Sequence, residues 1–439
     1  FKQKTAYEIA SCLVGSEMCI RDSTLVWKLA QSLRPTKIWC APGNPGIAKE
    51  TLKSNNSTVE CVEVGAEDIN SLLEFARNNK VDLTVVGPDN PLAMGIVDKF
   101  QSIGLRAWGP TQQAAQFESS KIFSQEFMDR HGVPTMRSAS FQDSSEAKKF
   151  ASQLDGKCAV KADGLALGKG VLICNSVDEA NLAIEQIMTD RTFGNAGASV
   201  LIQELITGME ISLHALCDGK TAKLFPSSQD HKRALENDLG LNTGGMGTYS
   251  PVPFLKEDKL NKIANAVLDP WLAGCAREGI DFRGMIYPGI MLTDEGPKVL
   301  EFNARFGDPE TQVYLIRLKN DLVDLLEASI DGTLDEHELQ WTDQSSVCVV
   351  VASGGYPSSY EKGKSISGLE AADAIPGVKV FHAGTKIKEG EIVNSGGRVL
   401  GVTALGDNLL AARNLAYKAA AMIHFDGAFS RKDIAAKAL

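Results

Sequence analysis

Two polar side chains alternate with apolar ones in the strand-like run VLEFN, part of the segment KVLEFNARFGDPETQ (298–312). Glu301 and Asn303 are the polar members, with Leu300 and Phe302 beside them. Because strand side chains point alternately to opposite faces, Glu301 and Asn303 share one face. A carboxylate and an amide oxygen suit a hard cation such as Mg²⁺, which commonly also binds phosphate groups. The pattern therefore predicts a metal-binding pair at the end of a strand.

More charged side chains follow this strand at once. Arg305, Asp308 and Glu310 stand close together, interleaved with Gly307 and Pro309. Such a density of charge beside a strand end is hard to explain as solvated surface. We therefore expect this turn to take part in function.

A glycine-rich loop separates two strand-like runs in CAVKADGLALGKGVLIC (158–174). Its N–H groups could lie against phosphate oxygens, because Gly164, Gly168 and Gly170 allow the backbone to approach closely. Lys161 on the entering strand could reach the same phosphates as a point charge. An ordinary hairpin with surface charges is the alternative. The spacing is not that of a P-loop, which reads GxxxxGK[ST] before a helix.

Charged residues also border apolar runs in VLIQELITGMEIS (200–212). Glu204 and Glu210 could accept hydrogen bonds from an adenine amino group or a ribose hydroxyl, although solvated carboxylates would give the same pattern. Further on, QDHKR (229–233) concentrates acid, base and cation. His231 could transfer protons there or only orient a neighbour.

The elements that must position these residues begin as alternating strand and helix patterns. This alternation predicts βαβ units and a parallel sheet with helices on both faces. The strand TKIWCA leads into PGNPG (42–46), and the strand VDLTVVG (81–87) leads into PDNP. Because ligands of such sheets bind beyond the carboxyl ends of the strands, we expect Gly43, Asn44 and Pro88 near a site.

The composition of the chain argues against several classes of protein. The formal net charge of -10 disfavours general nucleic-acid binding, since phosphate backbones recruit Lys and Arg. No apolar run approaches the roughly 20 residues that span a bilayer. The nine cysteines include no CxxC pair, which favours buried free thiols in a reducing cytoplasm. No Ser-His-Asp or Cys-His arrangement stands out, so activation by ATP is favoured over a protein nucleophile.

Together these segments resemble the ATP-grasp enzymes, and within them the glycinamide ribonucleotide synthetase (phosphoribosylamine–glycine ligase) family of purine biosynthesis. The resemblance runs from Thr24 to the C-terminus. It rests on KADGLALGKGV, SQDHKR, NTGGMGTYSP, RFGDPETQ, GGYP (354–357), VFHAGTK (380–386) and GGRVLGVTALG (396–406). It implies an α/β fold with an α+β ATP-grasp part. The expected parts are an N-terminal doubly wound parallel sheet that binds substrate (24–118), a two-part ATP-grasp unit with a mobile lid (119–335, lid about 138–205) and a small mixed C-terminal domain (336–439).

The resemblance also implies a reaction. ATP, glycine and 5-phosphoribosylamine would give glycinamide ribonucleotide, ADP and phosphate through a glycyl phosphate, with Mg²⁺ or Mn²⁺ held by Glu301 and Asn303. The implied catalytic set is Arg305, Asp230, His231 and Lys232, with Arg305 binding the glycine carboxylate or stabilising the oxyanion. The implied ATP-binding set is Lys121, Lys161, Gly164, Gly168, Lys169, Gly170, Glu204, Leu205 and Glu210. The implied substrate set is Gly43, Asn44, Pro88, Asn242, Thr243, Gly244, Gly245, Asp308, Pro309 and Glu310. A transient hand-over of the amine from the preceding enzyme stays open.

The chain departs from the family pattern in two places. Residues 1–23 fit neither a secretory signal nor a mitochondrial presequence, and KQKTAYEI and VGSEMCIRDS resemble translated pieces of a sequencing-library adapter. We therefore expect the authentic chain to begin near Thr24, without the family's first strand and GxGGRE-type loop. Residues 1–23 should either pack poorly or fill the place of that strand through SCLVG. Gln203 stands where Glu is common, so the adenine contact is assigned to Glu204 and Leu205.

Two other functions compete with this one. Another ATP-grasp carboxylate–amine ligase would share the nucleotide residues but not SQDHKR or the whole of RFGDPETQ. A catalytically inactive ATP-binding protein is disfavoured by the presence of Lys161, Glu301 and Asn303, but it stays open for the chain as written.

Overall fold

The computed structural model describes residues 9–14, 19–165 and 170–439, and its N-terminal part is a five-stranded parallel sheet. The strands are β1 (Ile9–Val14), β2 (Pro35–Ala41), β3 (Glu60–Cys61), β4 (Leu83–Val86) and β5 (Ala107–Trp108). The helices are α1 (Ile20–Ala30), α2 (Ile69–Asn78), α3 (Asp89–Ala93) and α4 (Ile96–Ser102). All pairings in the order β3-β2-β1-β4-β5 are parallel, as the βαβ pattern predicted.

Helices cover both faces of this sheet because both sets of alternating strand residues are apolar. On β2, Ile38 and Cys40 belong to one core with Leu25 of α1. Trp39 of β2 belongs to a second core with Leu72 of α2. A strand buried on both sides is what a parallel sheet between two helical layers requires.

Strand β1 occupies the centre of the sheet, between β2 and β4. Its Cys12 pairs with Trp39 on one side and with Thr84 on the other. The segment Ile9–Val14, which contains SCLV, therefore forms the central strand of the sheet, and residues 1–8 and 15–18 lie outside the described part of the chain. Helix α1 begins at Ile20, upstream of Thr24, and the Ile20 side chain is buried.

A second unit follows the helices α5 (Gln116–Ser119) and α6 (Lys121–His131). Its strands are β6 (Ser138–Phe141), β7 (Lys157–Ala162), β8 (Val171–Asn175) and β9 (Val200–Glu204), and its helices are α7 (Ser144–Gln153) and α8 (Val177–Ile184). The strands form an antiparallel sheet in the order β6-β9-β7-β8. Its core includes Ala147 of α7, Val160 of β7 and Ile184 of α8. The sheet lies within the part of the chain, about 138–205, that the sequence predicts to be a mobile lid.

The next part of the chain, which ends with Asp331, contains nine strands and three helices among its described residues. The strands are β10 (Met209–Ser212), β11 (Ala215–Asp218), β12 (Ala222–Leu224), β13 (Gln229–Asp230), β14 (Arg233–Leu235), β15 (Leu239–Asn242), β16 (Gly247–Ser250), β17 (Arg283–Thr293) and β18 (Gly296–Asn303). The helices are α9 (Glu257–Glu278), α10 (Glu310–Leu315) and α11 (Leu322–Asp331). Strands β10, β17, β11 and β12 form an antiparallel sheet, and β18 pairs with β17.

The C-terminal part adds β19 (Ser345–Ser353), β20 (Val378–His382), β21 (Thr385–Lys388), β22 (Glu391–Asn394), β23 (Arg398–Gly406) and β24 (Ala428–Phe429). Its helices are α12 (Leu369–Asp373) and α13 (Leu409–Ala420). The sheet runs β13-β16-β19-β23-β20, with β24 paired to β19. Because β13 and β16 come from the segment that holds SQDHKR and NTGGMG, the C-terminal sheet continues directly into the candidate site.

An aromatic cluster packs against the face of β18 that carries Phe302. The ring centroid of Phe302 lies 5.8 Å from that of Phe117 and 6.2 Å from that of Trp271. All three side chains are buried, so the polar neighbours of Phe302 are left on the opposite side of the strand. Among the described helices, none has the length and apolar character needed to cross a bilayer.

Candidate active site

One cleft of about 740 Å³ lies between the sheet of β6 to β9 and the strands β10, β17 and β18. Most of the residues selected from the sequence line it, although they come from separate segments of the chain. They are Lys121, Lys161, Gly170, Glu204, Leu205, Glu210, Asp230, Lys232, Asn242, Thr243, Gly244, Glu301, Asn303, Arg305, Asp308 and Glu310.

Glu301 and Asn303 face the cleft from β18, as the alternation predicted. The strand contains an irregularity, because Gly289 pairs with Glu301 and the next residue of β17 pairs with Val299. Leu300 is thus an extra residue, which also lines the cleft. The Asn303 amide donates from Nδ2 to the carbonyl oxygen of Tyr287 at 3.3 Å, which fixes the direction of its Oδ1.

The electrostatic field at Glu301 keeps its carboxylate charged. Burial by itself would raise the pKa of Glu301, but the charges of Lys161, Lys232 and Lys121 outweigh burial and lower it. Among the residues that the structure describes, none donates a hydrogen bond to this carboxylate. A charged carboxylate with free acceptor sites is suited to a cation.

Two lysines approach this carboxylate from different elements. Lys161 on β7 is buried and donates from Nζ to the carbonyl oxygen of Leu300 at 2.9 Å. Burial lowers its pKa to about 8, and the charge of Glu301 opposes that effect. Lys121, the first residue of α6, donates from Nζ to the carbonyl oxygen of Gly164 at 3.0 Å. Both cations therefore lie beside the start of the glycine-rich loop.

The glycine-rich loop is described at both ends. Gly164 has a φ of +149°, and a Cβ there would come 2.9 Å from the Cβ of Ala196, so glycine is needed for both reasons. Gly170 lines the cleft. Gly168 and Lys169 lie outside the described residues, so their predicted contacts with ATP stay predictions.

Apolar side chains line part of the cleft, and we call this part the apolar slot. Met128, Met136 and Met291 line it with Glu204 and Leu205. The N–H of Leu205 donates to the carbonyl oxygen of Lys157 at 3.0 Å and is therefore committed to the sheet. A flat base would fit this slot, with polar contacts from groups other than that N–H.

Family models of three domains match successive parts of the chain. Phosphoribosylglycinamide synthetase N domain matches residues 12–118, its ATP-grasp (A) domain matches 119–311 and its C domain matches 346–437. The phosphoribosylamine–glycine ligase of Caldanaerobacter subterraneus subsp. tengcongensis is 45% identical over 416 residues, which cover 95% of this chain and 97% of that protein. The ligase of Vibrio cholerae serotype O1 is 44% identical over 420 residues, with 95% and 96% covered. This chain belongs to the phosphoribosylglycinamide synthetase family.

Solved structures agree with this membership. The crystal structure of the phosphoribosylamine–glycine ligase of Thermotoga maritima has a TM-score of 0.81 and 30% identity, and the match covers 97% of this chain and 100% of that one. The biotin carboxylase domain of the Hydrogenobacter thermophilus 2-oxoglutarate carboxylase has a TM-score of 0.72 at 16% identity, covering 96% and 91%. At that identity the second likeness shows a shared fold alone, which is the ATP-grasp architecture expected from the sequence.

The QDHKR segment of this synthetase-family chain contributes four of its five residues to the lining of the cleft. Asp230 and Lys232 line the cleft, and Lys232 Nζ lies 2.7 Å from Glu210 Oε1. Burial and the negative charge of Glu310 raise the pKa of Asp230 well above its usual range. Burial would lower the pKa of Lys232, but the charge of Glu210 outweighs it and raises the pKa.

His231 is not among the described residues that line the cleft, so its predicted catalytic role stays a prediction. Its Nδ1 is 3.0 Å from the carbonyl oxygen of Gly247, and its Nε2 accepts from the N–H of Ala435 at 3.3 Å. The physical reason is its backbone contacts, because these two groups hold the ring toward β16 and the C-terminal segment. Burial lowers the pKa of His231 to about 3, so the ring is neutral near pH 7.

The predicted substrate residues of the N-terminal sheet also lie away from the cleft wall. Gly43 and Asn44 follow the end of β2, and Pro88 follows β4, as expected. However, Asn44 is buried and fully engaged: Oδ1 accepts from the N–H groups of Gly46 and Ile47, and Nδ2 donates to Ser23 and His382. Asp89, next to Pro88, is the residue that reaches the cleft.

Gly245 and Pro309 support the cleft wall without lining it. Gly245 has a φ of +115°, and a Cβ at that position would lie 2.4 Å from Cδ of Pro309. The same Cβ would lie within 2.9 Å of both carboxylate oxygens of Asp230. These two residues therefore hold two cleft-lining loops in close contact.

Several cleft residues were absent from the sequence prediction. Glu118 lies 3.0 Å from Arg305, and its Oε2 accepts from the N–H of Ala304 at 2.8 Å. Tyr287 lines the cleft and donates from Oη to Glu310 Oε1 at 2.5 Å. Ser124 lines the apolar slot with a buried hydroxyl that has no partner among the described residues. Lys437, near the C-terminus, also lines the cleft, and its Nζ lies 3.8 Å from Oδ2 of Asp238.

Proposed function

We propose that the cleft of this synthetase-family chain ligates glycine to 5-phosphoribosylamine with ATP, giving glycinamide ribonucleotide, ADP and phosphate. The observation that carries the proposal is the convergence of two lysines, Glu301 with Asn303, and Arg305 on one cleft. The family membership supports the reaction, because the full-length relatives are named phosphoribosylamine–glycine ligases.

The nucleotide would lie with its base in the methionine-lined slot and its phosphates beside Lys121 and Lys161. Both ammonium groups lie where the glycine-rich loop begins. Each donates to one carbonyl oxygen in the described structure, which leaves further N–H groups for phosphate oxygens. Glu204 and Glu210 line the same cleft and could accept from ribose or base.

Glu301 and Asn303 fit a divalent cation. The donor set is a charged carboxylate and an amide oxygen, and Mg²⁺ commonly takes only one or two protein ligands with phosphates and water completing its shell. Among the described residues no cluster of three or more His, Cys, Asp or Glu side chains could hold a metal by itself, which agrees with a site shared with substrate. When bound, Mg²⁺ or Mn²⁺ would neutralise phosphate charge and polarise the transferred phosphoryl group.

Arg305 would hold the carboxylate of glycine as it attacks the γ-phosphorus of ATP, releasing ADP and forming glycyl phosphate. The amine of phosphoribosylamine would then attack the acyl carbon and displace phosphate. The attacking nitrogen must lose a proton, and the carboxylate of Asp230, which lines the cleft, would accept it. Lys232 would stabilise the negative charge that develops on the acyl oxygen.

We further propose that residues 24–118 form the substrate-binding part, 119–335 the ATP-grasp part with the lid near 138–205, and 336–439 the C-terminal part. A closed lid would keep water from the acyl phosphate. A cytoplasmic location is supported by the described cysteines, which are all free thiols. A hand-over of the unstable amine from the preceding enzyme stays a prediction.

The experiment that tests the function is ADP release by the chain with ATP and Mg²⁺, with glycine and phosphoribosylamine added separately and together. We expect rapid release only when both are present. Release without phosphoribosylamine, or with another acid in place of glycine, would contradict the proposal.

A variant of the metal pair separates chemistry from folding. Glu301→Ala should lower turnover by about 1,000-fold and weaken Mn²⁺ binding in the presence of ADP. The matched control is Glu295→Ala in the turn between β17 and β18, where Glu295 is exposed and pairs only with Lys298. Near-normal turnover of Glu301→Ala with Mg²⁺ would exclude the metal assignment.

A further inference from the structure

Arg398, in the GGRVLGVTALG block, contacts two loops of the cleft wall from behind. It is the first residue of β23, and its side chain is 11% exposed. It is not among the described residues that line the cleft. The function proposed above does not use this side chain, although the loops that it contacts do line the cleft.

The guanidinium joins these two loops through one nitrogen. Its Nη1 donates to the carbonyl oxygen of Gly244 at 2.9 Å and to that of Asp308 at 2.9 Å. A longer contact of 3.4 Å reaches the carbonyl oxygen of Gly245. Backbone segments more than 60 residues apart in the chain are thus held by a single side chain of the C-terminal sheet.

A charge pair fixes the guanidinium in this position. Its Nη2 donates to Asp308 Oδ2 at 2.8 Å, and the Asp308 side chain is only 5% exposed. The other carboxylate oxygen of Asp308 accepts from Nε2 of Gln312 at 2.9 Å. Both carboxylate oxygens of Asp308 are therefore held by hydrogen bonds. A planar guanidinium can bind this carboxylate and the neighbouring carbonyl oxygens at once, which an ammonium group does less well.

The GGYP block contributes to the same arrangement. The N–H of Gly244 donates to the hydroxyl of Tyr356 at 3.2 Å. A Cβ at Gly397 would come 2.2 Å from the Tyr356 ring, so the glycine before Arg398 makes room for this tyrosine. Both polar groups of the Gly244 backbone are then bound by side chains of the C-terminal part.

We propose that Arg398, assisted by Tyr356, is a positioning residue that fixes the Gly244 and Asp308 loops in the geometry needed to bind phosphoribosylamine and glycine. This inference rests on the proposed function for its substrates. It gives the C-terminal domain a direct part in the ligation, through the shape of the cleft wall. ATP binding should be independent of Arg398, because the lysines and the apolar slot belong to other elements.

The test compares Arg398→Lys with Arg317→Lys. Arg317 is also buried and donates to Ser250 and to the carbonyl oxygens of Thr342 and Gln344, but it does not line or brace the cleft. Arg398→Lys should lower kcat/KM for phosphoribosylamine by about 30-fold or more, leave ATP affinity unchanged and speed hydrogen exchange over residues 242–245. Arg317→Lys should change none of the three.

Two further measurements keep the inference falsifiable if a variant is unstable. Guanidinium ion added to Arg398→Ala should restore part of the lost activity, and Tyr356→Phe should give a smaller loss of about 3- to 10-fold. Wild-type exchange over residues 242–245 in Arg398→Lys, or wild-type kinetics in this variant, would overturn the inference. If the wild-type chain does not ligate glycine at all, the proposed function fails, and the exchange data alone decide whether Arg398 fixes the loops.

Discussion

The Glu118 carboxylate lies 3.0 Å from the Arg305 guanidinium, and the same carboxylate accepts the N–H of Ala304. Glu118 therefore contacts both the backbone that directly follows Asn303 and the side chain of Arg305. Burial raises the pKa of Glu118, and the charge of Arg305 opposes that effect. Arg305 also donates to Asn303 Oδ1 at 3.4 Å. Together these contacts orient the guanidinium toward the place where a substrate carboxylate would bind.

Replacement of Glu118 should lower kcat/KM for glycine. Glu118→Gln removes the charge but keeps the size of the side chain, and kcat/KM for glycine should fall by about 30-fold, equal to roughly 2 kcal/mol. The control is Glu278→Gln, because Glu278 forms a 3.0 Å pair with Arg130 on the exposed surface. Such a surface pair contributes little, so its loss should leave glycine kinetics unchanged. Equal effects of the two variants would argue against orientation by Glu118.

Deprotonation of Lys161 should limit the activity of the enzyme at alkaline pH. Burial lowers its pKa to about 8. Below that pH the ammonium is charged and attracts phosphate; above it the neutral amine does not. The value of kcat/KM for ATP, which reports the free enzyme, should therefore fall as the pH rises through about 8. In Lys161→Arg this fall should move to higher pH, because a guanidinium stays charged. If the alkaline fall in kcat/KM stays at the same pH in Lys161→Arg, a group other than Lys161 causes it.

The close contact behind the cleft wall predicts a severe effect of a single methyl group. Gly245→Ala would place a Cβ 2.4 Å from Pro309 and near Asp230, at a φ of +115°. Ligation should fall by about 100-fold because two substrate loops must separate. Gly390→Ala is the control: its φ is +84°, but no atom lies within 4 Å of the added Cβ. That variant should lose only about 1 kcal/mol of stability and keep its activity. Full activity of Gly245→Ala would show that the contact can relax.

Sequence periodicity predicted the position of residues whose direction is set by alternation within a single strand. The alternation in VLEFN placed Glu301 and Asn303 on the face that lines the cleft. It could not place His231, because His231 and Lys232 lie between two short strands rather than within one. The extra residue at Leu300 could not be foreseen, because it depends on pairing with Gly289. Glu118 gave no local signal, since its partners Ala304 and Arg305 are about 190 residues away in the chain. Contacts of that kind are set by tertiary packing alone.

His231 should prove structural despite its place in a charged motif. Both ring nitrogens are engaged by backbone groups of Gly247 and Ala435, and burial lowers its pKa to about 3. His231→Asn should therefore lower the free energy of unfolding by about 1–3 kcal/mol, because a buried polar group is left unpaired. The pH dependence of kcat/KM should keep its position, as the neutral ring does not titrate between pH 5 and 8 in the folded protein. Loss of a limb near neutral pH in His231→Asn, measured at a temperature where the variant is folded, would support His231 as a member of the catalytic set.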